Sequence, residues 1–487
     1  MSEGKAVWLV RYSGEVGTKD KRTRWRIIQR LKDNIEEALG KNGVNAPVEA
    51  FWEHIRIYTD KDISHILRKI FGIANFSQAV HYTLPKDKEG VITLGKQYFK
   101  DKVKGKKYAV RVKGKKKGFS GSVIERKLGE ALYSFGGGVD LTNPDITCYV
   151  EIRGDNLFLY AHKEEGLRGH PIGSQGNVIL LFSGGIDSPV ATWLLWKAGL
   201  NIDFVYYDLG GEDQKKDMLK SLQFLYENYG FGNKGNLYLI PFTPVIAEIL
   251  KCRPYYQNML LKYFFYRGAE LLAKELKVPA FATGEALGQV STQTLVNIAT
   301  LDRLTPLLVI RPLLLTEKED IKTLSKQIGT YDLAYTGKEY CALATKQVGT
   351  AIPYEDLIKE ALRCNNKPFI EAVANKQKIY LDNIGNILES LEFQTPQLPI
   401  PHDAEIIDLR TPTEFERWHI PGSKNIPFTE AWNQFPNWDK SKKYFLVCSE
   451  GMASALLAHH MKQEGFDVDH LEGGIQALMN QLPTTLT

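Results

Sequence analysis

Cysteine is scarce in this 487-residue chain: there are five, odd in number and scattered, with no C-x-x-C pair and no Cys/His spacing of a zinc site. A disulfide framework and a structural zinc module are thereby excluded. No apolar run reaches the ~20 residues of a membrane span. The opening MSEGKAVWLV lacks the layout of a signal peptide, so a cytoplasmic location with no membrane partner is expected. The common nucleotide loop GxxxxGK[ST] is missing as well, and with it the lysine that would reach β/γ-phosphates.

What remains is an ordinary globular composition, 43% hydrophobic and 24% charged. The length exceeds one core and implies about three or four domains. A net charge of +5 conceals an uneven distribution. Residues 1–170 carry 32 Lys/Arg against 21 Asp/Glu, and residues 171–487 carry 30 against 36. A basic front half is suited to gripping a polyanion.

The chain is organised around Asn177–Ala191, NVILLFSGGIDSPVA. Val178–Phe182 reads as a buried parallel strand, and Pro189 opens a helix at a position where proline is favoured. A strand, a Gly-rich turn and a helix N-terminus aim several N–H groups at one point, which suits phosphate. The Ser183 and Ser188 hydroxyls add donors. Asp187 would repel phosphates unless a cation intervenes, which points to a Mg²⁺-linked or catalytically placed carboxylate. The SGGxDS pattern, Ser183–Ser188, resembles the PP-loop of ATP pyrophosphatases, which cleave ATP between the α and β phosphates.

Residues 1–60 read β-α-β, with a basic run (Gly17–Arg26) opening a helix through Trp25–Leu39; phosphate contact and plain solvent exposure are both open for that run. From 61 to 168 the pattern is α+β. Lys102–Lys117 holds nine Lys or Arg and no acid, on a strand whose alternation shows in YAVRVK. Residues 174–393 alternate strands (NVILLF, DFVYYDL, LYLIPF, AFATGE, LVIRPLL) with helical patterns. An open parallel sheet follows, with ligands at the carboxyl ends of its strands. Near those ends fall Lys262 (otherwise a surface lysine), Gly284, Gln289 and Gln293, and Lys318, an amine that could neutralise pyrophosphate. Pro-rich QTPQLPIPH (394–402) reads as a linker. A compact α/β unit at 401–487 follows, in which Cys448 ends the strand YFLV and begins the loop Ser449–Ala453 before a helix at Ser454. Loop N–H groups and a helix N-terminus stabilise a thiolate there, and such a thiolate can hold sulfur as a persulfide.

The order of residues 61–168 resembles a THUMP domain, an RNA-binding module, and the preceding segment a ferredoxin-like one. The C-terminal unit resembles a rhodanese domain in Asp408-Leu-Arg410, His419-Ile-Pro-Gly422 and Cys448. Ser449 and Ala453 stand where many rhodanese loops carry arginine, which argues against thiosulfate or cyanide as its partner. With RGHPIG, FSGGIDSPVA, TGEALGQVSTQT and EYCALATK, the whole chain resembles the tRNA 4-thiouridine synthetases, or tRNA sulfurtransferases. A multidomain α/β protein is implied, with an adenine nucleotide α-hydrolase-like central sheet. The family uses ATP to replace the 4-oxygen of uridine at tRNA position 8 with sulfur from a cysteine desulfurase. In some members it also feeds a sulfur-carrier protein for thiamine thiazole synthesis.

The resemblance implies an ATP site at Leu181, Phe182, Ser183, Gly184, Gly185, Asp187, Ser188, Lys262, Gly284 and Gln293, with Mg²⁺ through Asp187 rather than a protein cage. It implies catalytic roles for Cys448 as the persulfide, Cys341 as its disulfide partner, Asp187 and Lys318. tRNA contacts fall to Lys104, Lys106, Lys107, Arg111, Lys113, Lys115 and Lys116. Cys148 reads as core; Cys252 and Cys364, in helical patterns, read as structural and unpartnered. A homodimer stays open. Two other functions fit parts of the pattern: a PP-loop ligase or amidotransferase acting on a small molecule, and a non-catalytic sulfur relay through the rhodanese segment alone.

Overall fold

In the computed structural model, residues 4–114, 116–209, 212–334, 348–392 and 403–475 are described, together with Pro401 and Leu478. The chain divides into two compact units, one formed mainly by residues 1–176 and the other mainly by residues 177–487.

The first unit is built on one eight-stranded sheet. Its strands are β1 (Lys5–Tyr12), β2 (Val48–Ala50), β3 (Ile55–Ile57), β4 (Ile73–Thr83), β5 (Tyr108–Lys113), β6 (Ile146–Arg153), β7 (Asn156–Tyr160) and the short β8 (Glu164–Glu165). The order is β2-β3-β1-β4-β7-β6-β5, with β8 beside β4. β1 pairs with β4 over its whole length. The segments on either side of residue 60 therefore share one sheet. The second strand of the β-α-β pattern is instead a hairpin over residues 48–57, because the chain reverses at Phe51–His54, closed by Phe51 N–H donating to the His54 carbonyl. The N-terminal helix is longer than its apolar spacing suggests, Lys21–Lys41, since Asp20 caps it by accepting from the Arg22 and Thr23 N–H groups.

Period-two alternation gives the sheet two apolar faces. Trp8 and Val10 pack on Leu31 and Ile35 of that helix, while Val7 and Leu9 pack with Ala79, Phe158 and Tyr160. Arg11 shares the second face, and its guanidinium donates to Glu151 on β6 at 2.9 Å. Glu151 is buried and also accepts from the Tyr160 hydroxyl. Burial pushes this carboxyl up, but Arg11, Tyr160 and Arg153 outweigh burial and hold it at about 2.

The second unit carries two sheets. The larger runs β13-β12-β9-β10-β11-β14, from β9 (Asn177–Leu181), β10 (Asn201–Asp208), β11 (Asn236–Pro241), β12 (Ala280–Ala282), β13 (Leu308–Ile310) and β14 (Gln377–Tyr380). Five strands are parallel, as their apolar runs predict; β14 is an antiparallel edge. Its sequence, QKIY, opens with two polar residues and has three of its four residues exposed, so no apolar run announces it. The chain moves from β9 to β10 and β11 on one side, then returns to β12 on the other. The strand order reverses at β9, where such sheets open a ligand crevice. The smaller sheet, order β16-β15-β17-β18, is all parallel: β15 (Glu405–Asp408), β16 (Lys424–Asn425), β17 (Lys443–Val447), β18 (Asp467–His470). No helix among the described residues is long and apolar enough to cross a membrane.

Glu151→Ala leaves the part-buried Arg11 with only Asn75 and Ser77 as side-chain acceptors and is expected to destabilise the first unit by about 1–3 kcal/mol, read from urea unfolding. Because the Glu151 carboxyl is depressed, its contribution is full above pH ~4.5 and fades as pH falls toward ~2. Glu151→Gln should flatten that acid limb.

Candidate active site and sulfur site

The turn after β9 is where the strand order reverses. Gly184 holds φ +80°, and a Cβ there would lie 2.8 Å from the Met218 Cα, so only glycine fits. The helix after the turn is Asp187–Lys197, two residues earlier than Pro189 suggests, which puts Asp187 in its first turn. Ser188 is buried, and its Oγ accepts from Ser183 N–H at 3.3 Å and Gly184 N–H at 3.2 Å. Gly185 N–H points to Ser183 Oγ at 3.4 Å. Successive N–H groups thus converge on oxygens inside the loop, which is how backbone nests receive anions. Phe182 offers the turn neither side chain nor N–H: its ring packs on Phe204 and its N–H donates to Val205.

Asp187 is paired. Lys318, the first residue of the helix Lys318–Ile328, donates to both carboxylate oxygens at 2.7 and 2.9 Å, and to Gln289 Oε1 at 3.3 Å. Both Asp187 oxygens are engaged by an ammonium, an arrangement that fits charge neutralisation by Lys318. Among the described residues there is no cluster of three or more metal-ligating side chains. Gly284 brings the turn after β12 against this pair: a Cβ there would stand 3.3 Å from Asp187 Cβ and Ser188 N.

That turn is held by Glu285, which sequence reasoning passed over. Its buried carboxylate accepts from the Tyr266 hydroxyl (2.7 Å), Thr283 Oγ1 (3.0 Å) and Arg311 Nε (3.0 Å), and lies 3.2 Å from Lys262 Nζ. Burial raises this carboxyl, yet Lys262 and Arg311 overcome that and keep it at about 2. Arg311 continues to Asp302 at 2.6 Å. Lys262 is therefore no stray surface lysine: it is held at the rim of the turn. The signal in the sequence was an acid inside the apolar stretch AFATGEAL, a setting that demands cationic partners. Gln293 ties the following loop, its Oε1 accepting weakly from Ala286 N–H at 3.4 Å.

Cys448 follows the central strand β17 of the smaller sheet. The next helix is Met452–Gln463, again two residues earlier than expected. Sγ receives Gly451 N–H at 3.1 Å and Ser454 N–H at 3.4 Å, with Ser454 Oγ at 3.3 Å. Ser454, read from the sequence only as a helix start, thus touches the sulfur with both its N–H and its hydroxyl. Nearby, buried Asp408 binds the Arg410 guanidinium through both oxygens and so fixes the bend after β15. Met452 and Leu456 of the Cys448 helix join an apolar cluster with Val245, Ile246 and Ile249.

In the first unit, β5 is a sheet edge. Tyr108 and Val110 face the core; Arg111 and Lys113 take the other face. Lys104, Lys106 and Lys107 are exposed. Lys113 is lowered first by burial and then by repulsion from Lys163. Arg111 binds the Leu141 carbonyl and Lys116 pairs with Asp155, so those two are partly engaged. Arg24, in the basic run at the first helix, stacks over Trp52 at 4.3 Å. A cavity of about 610 Å³ opens against β5, lined by Tyr108, Arg111, Arg126, Glu130, Tyr133 and Leu141 among others. Lys115 and Cys341, both singled out from the sequence, lie outside the described residues.

Cysteine pairing departs from expectation at one place. Cys148 is core, as expected, but Cys252 and Cys364 are not unpartnered. Each ends the turn after a helix, and the turns meet with Sγ atoms 2.8 Å apart. Gly184→Ala forces a Cβ into the Met218 backbone at positive φ. It is expected to destabilise the second unit by about 1–3 kcal/mol, measured as a drop in melting temperature.

Four family models match in succession: a ThiI ferredoxin-like domain at 7–77, a THUMP domain at 85–162, the thiamine biosynthesis protein ThiI at 173–365 and a rhodanese-like domain at 396–481. Curated relatives include a tRNA sulfurtransferase of Desulfurococcus amylolyticus, 31% identical over 96% of this chain and 97% of its own. Another, from Shewanella halifaxensis, is 32% identical over 94% and 98%. A solved 4-thiouridine synthetase, in complex with RNA and with bound ATP, superposes with a TM-score of 0.69 at 30% identity, over 77% of this chain and 99% of that one. A Pyrococcus horikoshii protein, at 24% identity and a TM-score of 0.51, shares the fold. Relatives matched at this identity and almost end to end leave one conclusion: the chain belongs to the tRNA sulfurtransferase family.

Proposed function

We propose that this protein is an ATP-dependent tRNA uridine 4-sulfurtransferase that activates the uridine at tRNA position 8 and replaces its 4-oxygen with sulfur carried by Cys448. The observation that carries this is the presence in one chain of two chemically complementary sites. One is a nest of loop N–H groups bordered by the Lys318–Asp187 pair. The other is a thiol set in loop and helix N–H groups.

The uridine 4-oxygen attacks the α-phosphorus of ATP, and pyrophosphate departs. N–H groups of Ser183–Gly185 and the Lys318 ammonium offset charge on the leaving group, while Asp187 fixes that ammonium in place. Gly284 lets the neighbouring turn close on the nucleotide, with Lys262 and Gln293 beside it. Magnesium, where present, would come with the ATP phosphates, and no step here depends on it. Adenylation turns a poor leaving group, oxide, into a good one, AMP. In one route the outer sulfur of a Cys448 persulfide adds at C4, AMP leaves, and Cys341 then attacks the Cys448 sulfur and expels the 4-thiouridine sulfur. In the other, Cys341 first attacks the inner sulfur and the freed sulfide adds at C4 as AMP leaves. In either route a Cys341–Cys448 disulfide forms, which an external reductant reopens. The sulfur source is a cysteine desulfurase, and a thiamine-pathway carrier protein is a second acceptor for the same persulfide. The surface bearing Lys104, Lys106, Lys107, Arg111, Lys113 and Lys116, with the cavity along β5, grips the RNA, and Lys115 belongs to the same basic run of the sequence.

The two chemical steps separate by mutation. Cys448→Ala should keep tRNA-stimulated pyrophosphate release while abolishing 4-thiouridine, measured by nucleoside chromatography; Asp187→Ala should lose both. Retained thiolation in Cys448→Ala would remove that residue as carrier. A chain whose pyrophosphate release ignored tRNA would be a small-molecule ligase. Replacing Lys113, Lys115 and Lys116 by glutamine should weaken tRNA binding several-fold and flatten its salt dependence, followed by filter binding between low and moderate salt.

A further inference from the structure

Two thiols stand outside the chemistry above. Cys252 lies in the turn that ends the helix Thr243–Leu250, and Cys364 in the turn that ends the helix Tyr354–Ala361. Both are buried, at 7% and 6% exposure. Their 2.8 Å separation is a short step from the ~2.05 Å of a disulfide. The chain beside each thiol is fixed independently of the sulfurs. Glu360, itself 1% exposed, accepts from the Arg253 backbone N–H at 3.0 Å and from its guanidinium at 2.8 and 2.6 Å, and lies 3.4 Å from Arg363. One buried carboxylate thus binds the residue after Cys252 and the residue before Cys364. The sulfurs face each other because their backbones are pinned.

The pair is also asymmetric. The hydrogen bond between the two sulfurs lowers Cys252 and, together with burial, raises Cys364. These directions favour Cys252 as the thiolate, and the thiol held 2.8 Å away is placed to resolve whatever forms on it.

We propose that Cys252 and Cys364 form a second redox site, a dithiol that hydrogen peroxide oxidises to an intrachain disulfide. The Cys252 thiolate attacks one peroxide oxygen and breaks the O–O bond, giving a sulfenic acid and hydroxide. The Cys364 sulfur then attacks the sulfenic sulfur and forms the S–S bond. The sulfenic oxygen leaves as water with the Cys364 proton, and the hydroxide becomes a second water with the proton first lost by Cys252. Two thiols are oxidised and one peroxide is reduced. The bond would close residues 252–364 into a loop that contains Lys262, Gly284, Glu285, Gln293, Arg311 and Lys318, the ATP-side residues downstream of the Gly-rich turn.

The test uses the reduced full-length chain, titrated with hydrogen peroxide, blocked with iodoacetamide without reduction, digested and mapped by mass spectrometry. The expected result is a Cys252–Cys364 peptide pair, lighter by two hydrogen atoms than its parts and cleaved by dithiothreitol. The melting temperature should rise on oxidation in the wild type and stay unchanged in C252S and C364S. Separate carbamidomethylation of both cysteines, at peroxide levels that consume Cys448, would overturn the proposal. So would a link from either one to Cys448 or Cys341. The wild-type map involves no substitution, so a variant that fails to fold cannot mask the answer.

Discussion

A single buried carboxylate holds the nucleotide-side geometry together. Glu285 receives two hydroxyls and a guanidinium and lies beside an ammonium. Those groups come from the long helix Pro254–Leu276, the turn after β12 and the segment after β13. Taking a carboxylate out of water is tolerated only with such a full set of partners, and removing one strands the others. The reward is positional. With Glu285 fixed, the preceding glycine stays pressed against the first turn of the helix that bears Asp187, and the Gly-rich loop acquires a second wall.

The same logic of paired charge recurs in the first unit, where Glu151 and Arg11 join β6 to β1 across the sheet. That contact belongs to the sheet as a whole and ties segments that sequence patterning treats as separate. The basic surplus is carried differently. Lysines at 104, 106 and 107 project from loops into solvent, while Arg111 and Lys116 already have protein partners. A count of positive residues therefore overstates the number free to meet phosphate, and geometry sorts them.

Much of the architecture was legible because its signals are local. The parallel strands announce themselves as apolar runs, and the Gly-rich turn and the loop after Cys448 follow strands as their motifs require. What escaped was non-local. The hairpin at 48–57 depends on a reversal that no glycine or proline marks. The polar edge strand β14 is recruited by β11. Glu285 has meaning only once Lys262 and Arg311, distant in sequence, are folded around it. Cys252 and Cys364, 112 residues apart, could not be matched without the tertiary structure. Helix starts were misplaced by two residues at Pro189 and Ser454, because proline and serine also occur within a first turn.

The seat of Cys448 is deep: the residue is 5% exposed, and its sulfur is ringed by the Gly451 and Ser454 groups. A second sulfur bonded to it would reach ~2 Å farther out. The inner atom would remain in its ring of hydrogen-bond donors while the outer one met whatever approached. Depth thus acts as a chemical filter. The bare thiol is shielded from bulky electrophiles, whereas any second sulfur carried there would stand farther from the ring of donors than the atom it is bonded to.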